Sequence, residues 1–172
     1  MGHWIAKLYV RNIHIVALLL LLSSASFGET KTLDRQALGQ ARFFDNNLSL
    51  TRNQSCSSCH EPAMAFTDGR DNGVSGAVSL GDDGRSLGNR NTPTITYASQ
   101  IPAFHKNENG EYVGGFFLDG RSATMDEQAR EPFLNPIEMA MPDSAAVVAR
   151  VRENPVYVRA LQANFGISVF SE

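Results

Sequence analysis

The sequence is poor in cysteine, histidine and tryptophan: two Cys, four His and one Trp occur in 172 residues. The two cysteines, Cys56 and Cys59, sit three positions apart, so no set of long-range disulfides can staple this chain. Trp4, His3 and His14 all precede residue 29, which leaves His60 and His105 as the histidines of the remaining chain. A zinc site would call for further Cys or His ligands, and His105 is the only other histidine on offer. Basic runs are missing too: 15 Lys and Arg stand against 18 Asp and Glu, for a net charge of −3. That balance excludes nucleic acid as a partner. No run of residues alternates with period two for long enough to make a strand, and no internal repeat or low-complexity segment occurs.

No apolar run reaches the ~20 residues needed to cross a bilayer. The longest, Ile13 to Leu22, follows Lys7 and Arg11 and leads into small residues from Ser23 to Gly28. This is the pattern of a secretory signal peptide, with cleavage expected after Gly28. Residues 1–28 are therefore read as a leader and 29–172 as one domain, exported to the periplasm. Membrane attachment would follow only from an uncleaved leader.

Against these absences stands one dense word, Cys56-Ser57-Ser58-Cys59-His60. On a helical turn, residues three apart share a face, so both thiols can add to the two vinyl groups of one porphyrin. His60 then lies under the iron as its ligand, and one covalent haem c is expected. A thioredoxin-like dithiol would need a βαβ setting, which this Gly- and Asn-rich stretch does not show. A structural disulfide between Cys56 and Cys59 is the remaining alternative.

The rest of the chain reads as mostly α, a cytochrome c-like single-haem domain with long irregular loops. Leu33, Ala37, Leu38, Ala41 and Phe44 recur at helical spacing ahead of the haem word. The stretch from Thr67 to Asn91, crowded with Gly, Asp, Ser and Asn, reads as loop and as a wall of the cofactor pocket. Thr124 with Glu127 forms a capping box for a helix running to the Pro132 and Pro136 region. Asp143 starts a second helix with an Ala145, Val148 and Val151 stripe. Asn154-Pro155 starts a third, closed by Gly166, with Val156, Ala160, Leu161 and Phe165 expected to face the core.

Around the haem word stand Leu38-Gly39, Phe43-Phe44-Asp45, Leu48-Ser49, Phe66-Thr67-Asp68-Gly69, Arg90-Asn91-Thr92-Pro93, Asp119-Gly120-Arg121, Glu127-Gln128-Ala129 and Asn135-Pro136-Ile137-Glu138-Met139. In this order the chain resembles the N-terminal half of bacterial di-haem cytochrome c peroxidases, in the branch that includes the MauG-like enzymes. The resemblance covers Leu38 to Phe165. It implies an all-α haem domain that reduces hydrogen peroxide, with electrons from a small periplasmic redox protein or from a second haem domain or chain. It further implies that Cys56 and Cys59 hold the porphyrin, that His60 ligates its iron, that Glu138 is the distal acid and Gln128 the distal glutamine, and that Asn91 contributes to a calcium site.

Elementary chemistry agrees with the role of Glu138. Splitting peroxide heterolytically requires a proton to leave one oxygen and arrive on the other, and one positioned carboxyl can carry it. Near an apolar haem face its pKa is expected to rise.

Three departures qualify the resemblance. No second Cys-x-x-Cys-His occurs before Glu172, so one haem is expected. Leu118 stands where the family often has a tryptophan relay, and leucine cannot take part in electron hopping. No histidine lies between His60 and His105, so an open distal site is expected, with His105 on the surface. Two rival readings remain. In one, the chain is a monohaem electron carrier using Met64, Met125, Met139 or Met141 as a sixth ligand. In the other, it is a haem subunit or truncated half of a MauG-like protein-modifying enzyme, docking through Phe116, Phe117 and Leu118.

Overall fold

The computed structural model describes residues 32–171, so the expected leader lies outside the described residues. Among the described residues five α-helices dominate: α1 (Arg35–Phe43), α2 (Cys56–Cys59), α3 (Met125–Leu134), α4 (Ser144–Arg152) and α5 (Pro155–Phe165). Among the described residues no helix is long and apolar enough to cross a membrane.

Each helix starts where its side chains supply an acceptor for the free amides of the first turn. Asp34 accepts from Ala37 N at 2.8 Å, Asp143 from Ala146 N at 2.7 Å, and Asn154 from Val156 N at 2.9 Å. Thr124 and Glu127 form the expected reciprocal box at the head of α3. Pro155 occupies the first turn of α5, and Gly166 ends it at φ +99°.

The core is formed where α1, α4 and α5 meet, by Leu38, Leu48, Met139, Val151, Tyr157 and Ala160. Phe133 from α3 and Leu161 from α5 pack against this cluster. Met139 matters for the site, because it anchors the segment after α3 directly into the core.

The expected helix faces hold at Val151, Ala160 and Leu161 and differ elsewhere. In α4 only Val151 is buried, while Ala145 and Val148 are exposed. In α5 the inward residues are Tyr157 and Ala160, while Val156 and Phe165 face outward. Both helices carry apolar residues on several faces, so the sequence stripe is broad and the docking partner selects the side. Phe165 is instead covered by the Arg35 guanidinium, 4.7 Å from its ring centroid.

Residues 67–91 carry no helix or strand, as expected, apart from isolated bridges between Glu61 and Thr67 and between Leu80 and Leu87. A small hairpin that the sequence pattern does not reveal joins β1 (His105–Lys106) to β2 (Tyr112–Val113), antiparallel, with His105 opposite Val113. Two-residue strands are too short to display alternation. The turn is set by Asn107, whose side-chain oxygen accepts from Asn109 N and Glu111 N, and by Gly110 at φ +83°.

Candidate functional site

The Cys-x-x-Cys-His word forms α2 and its C-terminal residue. Ser55 N donates to Ser58 Oγ at 3.0 Å, and His60 N donates to Cys56 O at 2.9 Å, which closes a single helical turn. Cys56 and Cys59 are both free thiols rather than a disulfide. Burial pushes both above the usual thiol range, so neither is a poised thiolate nucleophile.

The imidazole of His60 is fixed by its own loop. His60 Nδ1 lies 3.1 Å from Phe66 O, and since a carbonyl can only accept, Nδ1 carries the proton and Nε2 keeps its lone pair. Burial pushes the His60 pKa down, against the carbonyls of Phe66 and Pro93. A neutral imidazole with a fixed tautomer is what an iron ligand requires. The loop is tight enough to force Ala65 and Phe66 to φ +54° and +60°.

These residues open onto a cavity of about 270 Å³. Cys56, Cys59 and His60 line it from α2, Gln128, Pro132 and Phe133 from α3, and Glu138 and Met139 from the segment that follows. Asn91, Thr92 and Pro93 complete its wall from the long loop. The expected porphyrin anchors, iron ligand, acid and glutamine thus share one cavity. Two thiols on one helical face, a neutral imidazole and apolar walls from Phe43, Pro132 and Phe133 fit haem c.

Glu138 is half-buried, and burial pushes its carboxyl above the usual glutamate range. The amide of Asn135 and the charge of Arg121 oppose that rise, while Glu131 adds to it. Asn135 Nδ2 donates to Glu138 Oε1 at 2.9 Å. The backbone is held from other directions: Asp82 N donates to Glu138 O at 2.8 Å, and Leu50 N donates to Met139 O at 3.0 Å. Gly81 passes so close that a Cβ there would sit 2.8 Å from Ile137 O.

Asp82 is itself buried, 4% exposed, and accepts from Thr51 N at 2.6 Å. Burial works to raise its pKa, yet hydrogen bonds from Ser49, Thr51 and Asn53 hold the carboxylate below the ordinary range. Through Asp82 the turn that leads into α2 is tied to the backbone of Glu138. Asp82, Gly81 and Asn135 carry no motif chemistry of their own. The only sequence sign was that Asn135 stands inside the Asn-Pro-Ile-Glu-Met word.

Arg70 likewise carries no motif signal in the sequence. It pairs with Asp68 at 2.6 Å and donates to Cys59 Sγ at 3.3 Å, so a guanidinium rests on one of the two thiols of the expected haem word. At the rim, Arg121 stacks on Phe117 at 3.5 Å and pairs with Asp119 and Glu131 at 3.1 and 3.3 Å.

Asn91 is exposed and donates to Ala77 O at 3.3 Å. No group of three or more His, Cys, Asp or Glu suited to a metal ion occurs among the described residues. His105 lies exposed on the hairpin, its Nδ1 2.7 Å from Ala103 O. Met64 and Met125 are exposed and Met141 is buried, and none of the three lines the cavity. Phe116 is core, whereas Phe117 and Leu118 line the cavity, with Leu118 64% exposed.

The fold and the cavity together define a cytochrome c-like domain organised around a c-type haem motif. The chain matches the family of di-haem cytochrome c peroxidases over residues 34–172, and it belongs to that family. It is 53% identical over 136 residues to methylamine utilization protein MauG of Paracoccus denitrificans, covering 79% of this chain and 35% of that protein. It is 36% identical over 121 residues to cytochrome c peroxidase Ccp of Escherichia coli, covering 69% and 22%. Among solved structures, the diheme peroxidase BthA of Burkholderia thailandensis superposes with a TM-score of 0.70 at 32% identity, covering 81% of this chain and 37% of that one. The chain therefore spans about a third of the length of the MauG and BthA proteins it matches.

Proposed function

We propose that residues 29–172 form the peroxide-reacting domain of an exported c-type haem peroxidase, with residues 1–28 as its leader. The observation that carries this reading is the shared cavity, which joins the Cys56, Cys59 and His60 cradle to Gln128 and Glu138. Haem c, held through Cys56 and Cys59 with His60 on the iron, would supply the redox centre at which peroxide is reduced. The overall balance is one hydrogen peroxide, two electrons and two protons giving two waters. The electrons come from a small periplasmic redox protein or from a second haem domain or chain.

The protein's own residues handle position and protons. His60 is kept neutral and oriented by its bond to Phe66 O. Glu138, with its raised proton affinity, takes a proton from one peroxide oxygen and returns it to the departing one. The Gln128 amide donates to peroxide or to a water beside it and so fixes its orientation. Asn91, at the cavity wall, is the candidate contributor to a calcium site that in the family draws ligands from both haem domains.

The rival reading, a monohaem electron carrier, would need a methionine on the iron. Met139 lines the cavity, but it is also 3% exposed within the core cluster, which argues for packing. The 53% identity to a protein named for methylamine utilization supports placing the chain in the MauG-like branch. Leu118 removes one route for radical transfer there.

The test is to produce the chain with c-type haem maturation and follow its reaction with peroxide, beside Glu138→Gln. A fast wild-type reaction, slowed about 10²- to 10⁴-fold in the variant, is expected for a lost acid and base. A haem spectrum indifferent to both peroxide and cyanide would instead make the domain a carrier.

A further inference from the structure

We infer that Asn135 is a positioning residue for Glu138, using the two ends of one amide for two separate tasks. The inference rests on the reading of Glu138 as the proton carrier. Asn135 caps α3, its N–H donating to Glu131 O at 3.0 Å, and its backbone is extended ahead of Pro136. Its carbonyl accepts from Glu138 N and Ala140 N, both at 3.0 Å, which folds residues 135–140 into a compact turn. The side-chain oxygen accepts from Ile137 N at 3.2 Å and so builds the turn. The side-chain nitrogen donates to Glu138 Oε1 at 2.9 Å and so holds the carboxyl.

The consequence is a division of labour inside Glu138. Its backbone is fixed by Asp82 N and by the Asn135 carbonyl, neither of which constrains the side chain. The carboxyl is constrained at Oε1 by the Asn135 amide, which leaves Oε2 for the substrate's proton. A carboxyl free to rotate would spend less time within reach of peroxide, and small displacements of a reacting group carry large rate penalties.

The two tasks can be separated by substitution. Asn135→Asp keeps an acceptor for Ile137 N and loses the donor to Glu138. Asn135→Ala loses both. Expected for the Asp variant is normal haem incorporation, a melting temperature lowered near neutral pH by the second carboxylate beside Glu138, and a fall in kcat/KM for peroxide of about tenfold or more. Cyanide binding, which also needs a proton removed from HCN, should slow in parallel. In a Glu138→Gln background, Asn135→Asp should cost nothing further, because it acts through the carboxyl that is gone.

A wild-type peroxide rate in Asn135→Asp overturns the inference, and so does an equal loss in the Glu138→Gln background. Asn135→Ser, which adds no charge beside Glu138, separates lost positioning from repulsion and also decides if the Asp variant fails to incorporate haem. Its hydroxyl still accepts from Ile137 N but is too short to reach Glu138, and the same tenfold loss is expected. If Glu138→Gln alone leaves the rate unchanged, the reading of Glu138 falls, an outcome distinct from a failure of Asn135.

Discussion

Glu138 is placed where its charge is least welcome, and that placement has a measurable thermodynamic signature. Its folded pKa is raised by burial, so the folded state holds this proton more tightly than the unfolded chain does. The stabilising contribution is full below the unfolded glutamate pKa and is lost as pH rises through the folded one. At neutral pH the ionised carboxyl therefore weighs against the fold. Glu138→Gln, which keeps an acceptor for Asn135 Nδ2 and removes the charge, is expected to raise the melting temperature of the haem-loaded protein near pH 7 by a few degrees. The gain should shrink towards acid pH. Thermal melts of both proteins across pH 4 to 8 check the sign, and a variant less stable at every pH would contradict it. A gain in stability with a loss of rate is the usual trade at a functional group. His60 shows the complementary case: burial lowers its pKa and keeps the imidazole neutral, as a ligand must be.

At the scale of elements, the loop between α2 and the hairpin and the turn after α3 meet over a few atoms, and glycine makes the approach feasible. Gly81 lies against Ile137 O, where a methyl group would sit at 2.8 Å, closer than a Cβ can approach. Gly81→Ala is expected to push residues 137 and 138 aside and lower the peroxide rate about tenfold or more, by the same sensitivity of a reacting group to position. Gly39 is the control. It lies inside α1, a Cβ there would meet nothing within 4 Å, and Gly39→Ala should stabilise the helix by about 1 kcal/mol without touching the rate. Peroxide kinetics and denaturant melts of the two variants separate these outcomes. The helix starts were legible in advance because a capping side chain and its amide lie within three residues of each other. The buried faces of α4 and α5 were legible only in part, at Val151, Ala160 and Leu161. Val148 and Phe165 look as apolar in the sequence as Val151 and Tyr157, and only the neighbouring helices choose between them.

On the scale of the whole molecule, the core and the cofactor cradle share walls. Phe133 and Met139 touch the cluster of α1, α4 and α5 on one side and line the cavity on the other. A bound haem would extend this small core through the middle of the domain. Cys56→Ala with Cys59→Ala, which prevents covalent attachment, is expected to give a protein that melts lower and over a broader range than the haem-loaded form. Far-ultraviolet circular dichroism during heating reads this directly, and an unchanged melt would show that the helices are self-sufficient. Leu118 lies exposed at the cavity, beside the Arg121 stack on Phe117.

The sequence by itself determined the geometry of the Cys-x-x-Cys-His word, since a single helical turn fixes how Cys56, Cys59 and His60 face one another whatever surrounds them. It determined the helix starts for the same reason. The matched words also named Glu138 and Gln128, though not where they would lie. Only the tertiary structure decided that α3 and the turn after it share a cavity with α2, and that Asp82 ties Glu138 to the turn before Cys56. Those relations join segments far apart in the chain, and they depend on core packing around Met139 and on the close approach at Gly81. Neither leaves a mark on any short stretch of residues.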